Sequence, residues 1–333
     1  MDLAQLEAVV AVDDHGSFSA AAAELRLTQP ALSRRVATLE AELGLLVFER
    51  VGRGVRLTDA GRAVLAAARR MLHERRQLLA AVHDVAGVGA GRLDVAGLPS
   101  MVATHLVDVI GAFRARHPGV EITVTGAADS AELEALVSSA RCDLGIADLP
   151  LRRPGLRTVS LGSQDLMAVF PPGSAVPSPG PDGEPVVTEA ELRAWPLVVL
   201  PAATSSRTLV DEVFAQSPAG PQVVVTSDLR DVLVPLVLRG AGVALVPDRI
   251  AADAAAQGAV VARIRPRVRR EVGLVLREGT QPPAVAAFVD LALEVEASRR
   301  VRRRGQPAAT ASNPPVVAPA RSARAAAASS RRR

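Results

Sequence analysis

Gln29, Ser33, Arg34 and Thr38 fall at intervals that bring them to one face of a helix, and their chemistry is that of base and phosphate recognition. A Gln amide pairs two-pronged with adenine, an Arg guanidinium with guanine, and Ser or Thr hydroxyls hold phosphate oxygens. Thr28, Pro30 and Arg35 belong to the same turn-and-helix segment. Arg53 stands in Val51-Gly52-Arg53-Gly54, where the glycines permit a tight turn with the guanidinium at its tip. That position suits a phosphate or the minor groove. Thr28, Gln29, Pro30, Ser33, Arg34, Arg35, Thr38 and Arg53 form the candidate DNA-contacting set.

Such side chains need a rigid mount. Leu3, Leu6, Val9 and Val10 are spaced for a first helix over residues 2–13, stopped by Gly16. Ser17 reads as the N-cap of an Ala-rich helix ending near Leu25. Thr28 is expected to cap the third helix, with Pro30 tolerated in its first turn, where backbone N–H groups lack intrahelical partners. Leu32, Val36, Leu39 and Leu43 make that helix's buried stripe, and Gly44 ends it. Val47-Phe48-Glu49-Arg50 and Val55-Arg56-Leu57 read as two short strands. The helices alone fit an ordinary bundle with a solvated polar face. Helix, turn, helix and basic hairpin in this order predict a winged helix-turn-helix over residues 1–60.

Thr58 and Asp59 cap a helix expected to reach about Ala86. Val64, Ala68, Met71, Arg75, Leu78, Val82 and Val85 form a heptad seam broken once by Arg75. A helix of about 28 residues spans about 42 Å, too long to serve the head alone. Dimerisation along it is the expectation, followed by a hinge at Gly87-Val88-Gly89-Ala90-Gly91, so residues 58–91 make a linker.

From Arg92 strands and helices alternate, which predicts a mainly parallel sheet covered on both faces. Leu93–Gly97, Val120–Val124 and Asp143–Ala147 read as strands of a first lobe. Leu166–Phe170, Leu197–Leu200, Gln222–Thr226 and Val243–Val246 belong to a second. Arg269–Leu276 returns to the first, and Pro283–Ala297 is a closing helix. The expected division is lobe I over 92–162 and 268–297, with lobe II over 163–267. Ser100 opens one helix, Thr204, Ser205 and Ser206 precede another, and Thr226 and Ser227 open a third. Hydroxyls and free N–H groups at helix starts favour an anion such as a carboxylate, and each hydroxyl is equally an ordinary cap.

The chain resembles the LysR-type transcriptional regulators. The resemblance rests on Gly16-Ser17-Phe18-Ser19-Ala20-Ala21-Ala22, Thr28-Gln29-Pro30-Ala31-Leu32-Ser33-Arg34, Leu39-Glu40, Glu42-Leu43-Gly44, Val47-Phe48-Glu49-Arg50 and Leu57-Thr58-Asp59-Ala60-Gly61. It runs over essentially residues 1–297. Arg35 stands where the family often has Gln, and Val47 where it often has Leu. The resemblance implies DNA contacts from Gln29, Ser33, Arg34 and Arg53, and a two-lobed α/β domain of the periplasmic-binding-protein type. It places an effector at Ser100, Met101, Thr204 and Thr226, lined by Ala127, Asp148 and Pro247, with Arg207 a further candidate. It also implies double-stranded promoter DNA as partner and a homodimer that assembles into a tetramer.

Composition bounds the alternatives. The net charge of +4 conceals a division, because residues 297–333 hold ten Arg and no acid, while residues 1–90 balance at 11 against 11. The high pI is a property of the tail, so global charge is no argument for DNA binding. Residues 298–333 lack apolar periodicity and are expected to be disordered. Their arginines fit nonspecific phosphate binding or a dispensable extension equally well. The single cysteine, Cys142, excludes an internal disulfide and a cysteine-based zinc site. His15, His73, His83, His105 and His117 lack metal-ligand spacing, and no phosphate loop or nucleophile elbow occurs. The reading is therefore no enzyme, no metal and no cofactor. The acidic, amphipathic start and the lack of a long apolar run predict a cytoplasmic protein with no membrane partner.

Overall fold

The computed structural model describes residues 1–51, 54–85, 91–151, 153–175, 178–180, 184–202, 204–215 and 220–305. The head comprises α1 (Leu3–His15), α2 (Phe18–Glu24), α3 (Gln29–Leu43) and a hairpin of β1 (Phe48–Val51) and β2 (Gly54–Leu57). Leu6, Val9, Val12, Ala21, Ala22, Leu32, Val36 and Leu39 close one core, joined by Val47 and Phe48 from the wing. Asp2 and Gln5 form a capping box on α1, and Ser17 caps α2. Gly16 and Gly44 take the left-handed conformation that ends α1 and α3, at φ 66° and 70°. Two expectations need correction. The Thr28 side chain makes no cap hydrogen bond to α3. Leu43 is exposed, because the head core ends one turn earlier at Leu39.

Glu40 ties α3 to the wing, its Oε1 accepting from Val47 N at 2.7 Å and Phe48 N at 3.2 Å. Thr58 caps the next helix, accepting from Gly61 N at 2.8 Å while donating to Leu46 O. Gly61 meets the wing so closely that a Cβ there would lie 2.0 Å from Val47 O. That helix, α4 (Asp59–Val85), gives Val64, Leu65, Ala68 and Leu72 to the head core. Its buried Arg69 binds Asp13 at 2.8 Å and Asp14 at 2.5 Å on α1. Further along, Met71, Leu78 and Leu79 are exposed. The expected glycine hinge falls largely on residues 86–90, outside the described residues.

The rest is a two-lobed α/β domain. In chain order it runs β3 (Gly91–Gly97), α5 (Pro99–Met101), a π turn (Val102–Leu106), α6 (Val107–Arg116), β4 (Val120–Gly126), α7 (Ser130–Ser138), β5 (Leu144–Leu149) and β6 (Leu156–Phe170). Then come β7 (Ser178–Pro179), β8 (Pro185–Thr188), α8 (Glu189–Leu192), β9 (Leu197–Val199), α9 (Ser205–Val213) and β10 (Val223–Thr226). A 3-10 turn (Arg230–Val232), α10 (Leu233–Leu238), β11 (Ala244–Pro247), α11 (Asp248–Ala256), β12 (Val260–Arg265), β13 (Arg269–Arg277) and α12 (Pro283–Gly305) complete it.

The sheet is mixed, not mainly parallel. β4, β3 and β5 run parallel, but β13 lies antiparallel to both β5 and β6 because the chain comes back from the second lobe. The fifteen-residue β6 crosses between lobes, pairing first with β13 and then, over its last residues, with β11 and β12. The sequence reading recognised only its apolar end from Leu166. α11 and β12 were not anticipated. Leu93, Leu98, Phe113, Leu133, Ile146, Leu274 and Phe288 centre the first lobe's core. Phe170, Leu192, Val199 and Phe214 pack one side of the second lobe's sheet, and Val169, Leu233, Val237 and Val246 the other.

The closing helix overruns its expected end, so the expectation of disorder from residue 298 is wrong for its first eight residues. Arg299 bonds Glu296 and Asp108, and Arg300 donates to Leu161 O at 2.7 Å, which turns these arginines to lobe packing. Residues 306–333 lie outside the described residues.

Candidate DNA interface and effector cleft

Thr28, Gln29, Pro30, Arg34 and Thr38 are exposed on α3, with Ser33 and Arg35 partly covered. Neither Arg34 nor Arg35 has an ion-pair partner among the described residues. Gln29 Nε2 donates to Ser33 Oγ at 3.4 Å, a long bond that a base edge would replace readily. Thr38 differs, because its hydroxyl donates to Arg34 O at 2.8 Å and is already engaged. Thr28, free of the cap role, keeps its hydroxyl available at the N-terminus of α3. Arg53 lies outside the described residues. On the wing that bears it, Arg56 pairs with Glu49 at 2.7 Å.

Two lysR-family models match the chain in tandem. "Bacterial regulatory helix-turn-helix protein, lysR family" covers residues 3–62, and "LysR substrate binding domain" covers 86–297. The chain belongs to the LysR family. It is a DNA-binding transcriptional regulator with an effector-binding domain, and not an enzyme. Among its relatives, the probable regulator LrrA of Synechococcus elongatus is 31% identical, the match covering 87% of this chain and 96% of LrrA. The SDS degradation transcriptional activation protein of a Pseudomonas species is 32% identical over 89% and 97% of the two chains. Among solved structures, a full-length OxyR variant from Pseudomonas aeruginosa superimposes with a TM-score of 0.65 at 21% identity, covering 88% of this regulator and 98% of that chain. Full-length CbnR, solved with its target DNA, gives 0.59 at 25% identity over 89% and 100%. No helix among the described residues is long and apolar enough to cross a membrane.

Between the lobes of the regulator lies a nearly closed cleft of about 10 Å³, room for about one water, lined by Gln164, Asp165, Leu166, Leu209, Pro247, Val268 and Arg270. Arg270 sits on β13 in phase with Val272 and Leu274, where an apolar residue would be expected, and it is buried. Its Nη2 donates to Ser100 Oγ at 3.2 Å and to Gln164 Oε1 at 2.8 Å, while Nη1 lies 3.1 Å from Asp148 Oδ1. Arg230, in the 3-10 turn of the second lobe, donates to Ser206 Oγ at 2.8 Å. Burial lowers the pKa of both guanidiniums, and the charge of Arg270 lowers Arg230 further. Burial raises Asp148, while Arg270 works against that.

Ser100, Asp148 and Pro247 thus meet at Arg270 and its cleft. Met101 and Ala127 are buried in the first lobe's core. The Thr204 hydroxyl accepts from Arg207 N and donates to Pro201 O, both short-range cap contacts. Thr226 is exposed at the end of β10, and Ser227 accepts from Leu229 N in a turn rather than opening a helix. Arg207 is engaged with Asp211 at 2.8 Å. Arg270, Gln164 and Arg230 were missed. The alternation Arg270, Val272, Leu274 on a returning strand was the available signal, since a charge at an inward strand position is costly unless it has a task.

Cys142 is a buried thiol whose pKa is pushed up to about 11 by burial and by Asp94 and Asp143. That is the opposite of a reactive thiolate's surroundings.

Proposed function

We propose that this regulator binds a small anion, such as a carboxylate, between its lobes, with Arg270 and Arg230 as the charged contacts. Ser100, Asp148 and Pro247 line the same site, and Ser206 orients Arg230. The observation that carries this reading is the approach of the half-buried Arg230 of the second lobe to the buried Arg270 of the first, whose charge acts on it, while Asp148 pairs with Arg270. An anion entering there relieves the repulsion and draws the lobes together. That gives the differential affinity for one lobe arrangement which a ligand-driven shift requires.

The output end is α3 in the major groove, with Thr28, Gln29, Pro30, Ser33, Arg34 and Arg35 toward DNA and Arg53 reaching from the wing. Residues 1–60 act as the DNA head, 58–91 as the linker and 92–297 as the sensor. The exposed Met71, Leu78 and Leu79 on α4 support dimerisation along that helix, and a further step to a tetramer. A dimer presents two heads to two half-sites.

Calorimetric titration of the full chain with benzoate, succinate and lactate tests the cleft. Binding of at least one that is lost in both Arg230→Met and Arg270→Met is expected. Carboxylate binding indifferent to both substitutions would refute it.

A further inference from the structure

A continuous line of buried polar side chains leads away from the effector cleft to the junction of the two lobes. Arg270, Gln164, Thr104, His105 and Glu296 are all buried. Arg270 Nε and Nη2 both donate to Gln164 Oε1, at 3.1 and 2.8 Å. That fixes the amide, so Gln164 Nε2 faces Thr104 Oγ1 at 3.0 Å and His105 Nε2 at 3.4 Å. Thr104 in turn donates to Ser100 O at 2.7 Å. His105 Nδ1 lies 3.1 Å from Glu296 Oε1. Glu296 also receives Arg249 Nη2, at 2.9 and 2.8 Å, and Arg299 Nη1 at 2.6 Å. Arg249 belongs to α11 of the second lobe and additionally reaches Thr104 O in the first.

The order of donors and acceptors leaves one protonation state for the imidazole. Gln164 presents N–H, so His105 Nε2 must accept, and Nδ1–H must donate to the carboxylate. A second proton would set the ring N–H against the Gln164 N–H inside the core. Thr104 and His105 both lie in the π turn, a departure from α geometry found mostly at functional sites. A buried network of this kind is no better for stability than apolar packing, which leaves its specific geometry as the feature to explain.

We propose that Gln164 and His105 are positioning residues, which hold Arg270 and tie it through Glu296 to Arg249, so that the effector contact and the interlobe junction move as one unit only while His105 is neutral. The proposal rests on reading Arg270 as an effector contact. The charged groups around His105 are Glu296 and Arg299 on α12, Arg249 on α11 and Asp108, which pairs with Arg299. Burial, Arg249 and Arg299 disfavour its protonation, and Glu296 favours it.

Nuclear magnetic resonance of the full chain with labelled Arg and His side chains tests this without any ligand. At neutral pH His105 is expected to carry its proton on Nδ1 alone. The Arg270 Nε–H signal is expected to move with the His105 titration, and to shift in Arg249→Met although Arg249 shares no hydrogen bond with Arg270. In His105→Gln its pH dependence is expected to vanish. An Nε2-protonated ring, or an Arg270 signal in the unsubstituted chain that ignores pH, overturns the proposal even where a variant fails to fold. Carboxylate titration decides the cleft itself separately.

Discussion

Arg230 of the second lobe lies near enough to Arg270 of the first to feel its charge, and of these two only Arg270 has a carboxylate at ion-pair distance among the described residues. A charge partly withdrawn from water without a carboxylate partner costs stability, and an apolar replacement of similar size is often neutral or favourable. Arg230→Met is therefore expected to leave the ligand-free chain as stable as before, or slightly more stable, while removing its response to the effector. Urea unfolding with and without a binding carboxylate measures both effects. A large loss of stability in the free variant would make Arg230 structural.

On the DNA side, Arg34→Ala is expected to weaken specific binding by about 1–3 kcal/mol and relax base preference at one position. Thr38→Ala is expected to change affinity far less, because its hydroxyl already serves Arg34 O. Selection of bound sequences from a random pool, run in parallel on both variants, separates them. Equal effects would mean the face of α3 toward DNA is misassigned.

Gly61→Ala places a methyl group against Val47 O, where backbone rather than a movable side chain stands in the way. A loss of about 1–3 kcal/mol follows from overpacking of this kind, centred on the head. Thermal unfolding followed at the head should drop while the effector domain holds.

Stability should also fall on mild acidification. Folding holds His105 below its ordinary value of 6.5, so the unfolded chain takes up a proton there first. The contribution is whole above pH 6.5 and is lost as pH falls toward the folded value, at no more than about 1.4 kcal/mol per pH unit. Burial pushes Glu296 up, but its bonds from His105 and Arg249 bring it below its usual 4.5, so its own contribution is lost only at lower pH. His105→Gln is expected to flatten the first decline in a urea series between pH 7.5 and 5.5, and an unchanged slope would count against it.

Native Cys142 is expected to resist iodoacetamide at neutral pH and to label only on unfolding. Mass spectrometry of the intact chain reads this directly, and rapid labelling of folded protein would contradict its burial.

The head was largely legible because its signals are local. Gly16 and Gly44 stop helices by backbone freedom, and Leu32, Val36 and Leu39 repeat at helical spacing. The effector cleft was less so, because its partners are brought together by pairing distant in the chain, as between Arg270 on β13 and Gln164 on β6. The first half of β6 carries only a brief alternation, Val159 and Leu161 among Arg157, Thr158, Ser160, Gly162 and Ser163, too short to mark a fifteen-residue strand. It is a strand because β13 supplies its hydrogen bonds. The overrun of α12 was hidden by arginine-rich composition, whose charges find Asp108, Glu296 and Leu161 O only in three dimensions.

Because β6 passes from one lobe into the other and β13 returns to the first, the first lobe is built from two separated stretches of polypeptide and the second from one stretch inserted between them. A chimera that exchanges the first lobe must transplant two separated pieces, and one that exchanges the second must cut within the continuous β6. Altered ligand preference in this protein is therefore more accessible through point changes around the cleft than through recombination of its parts.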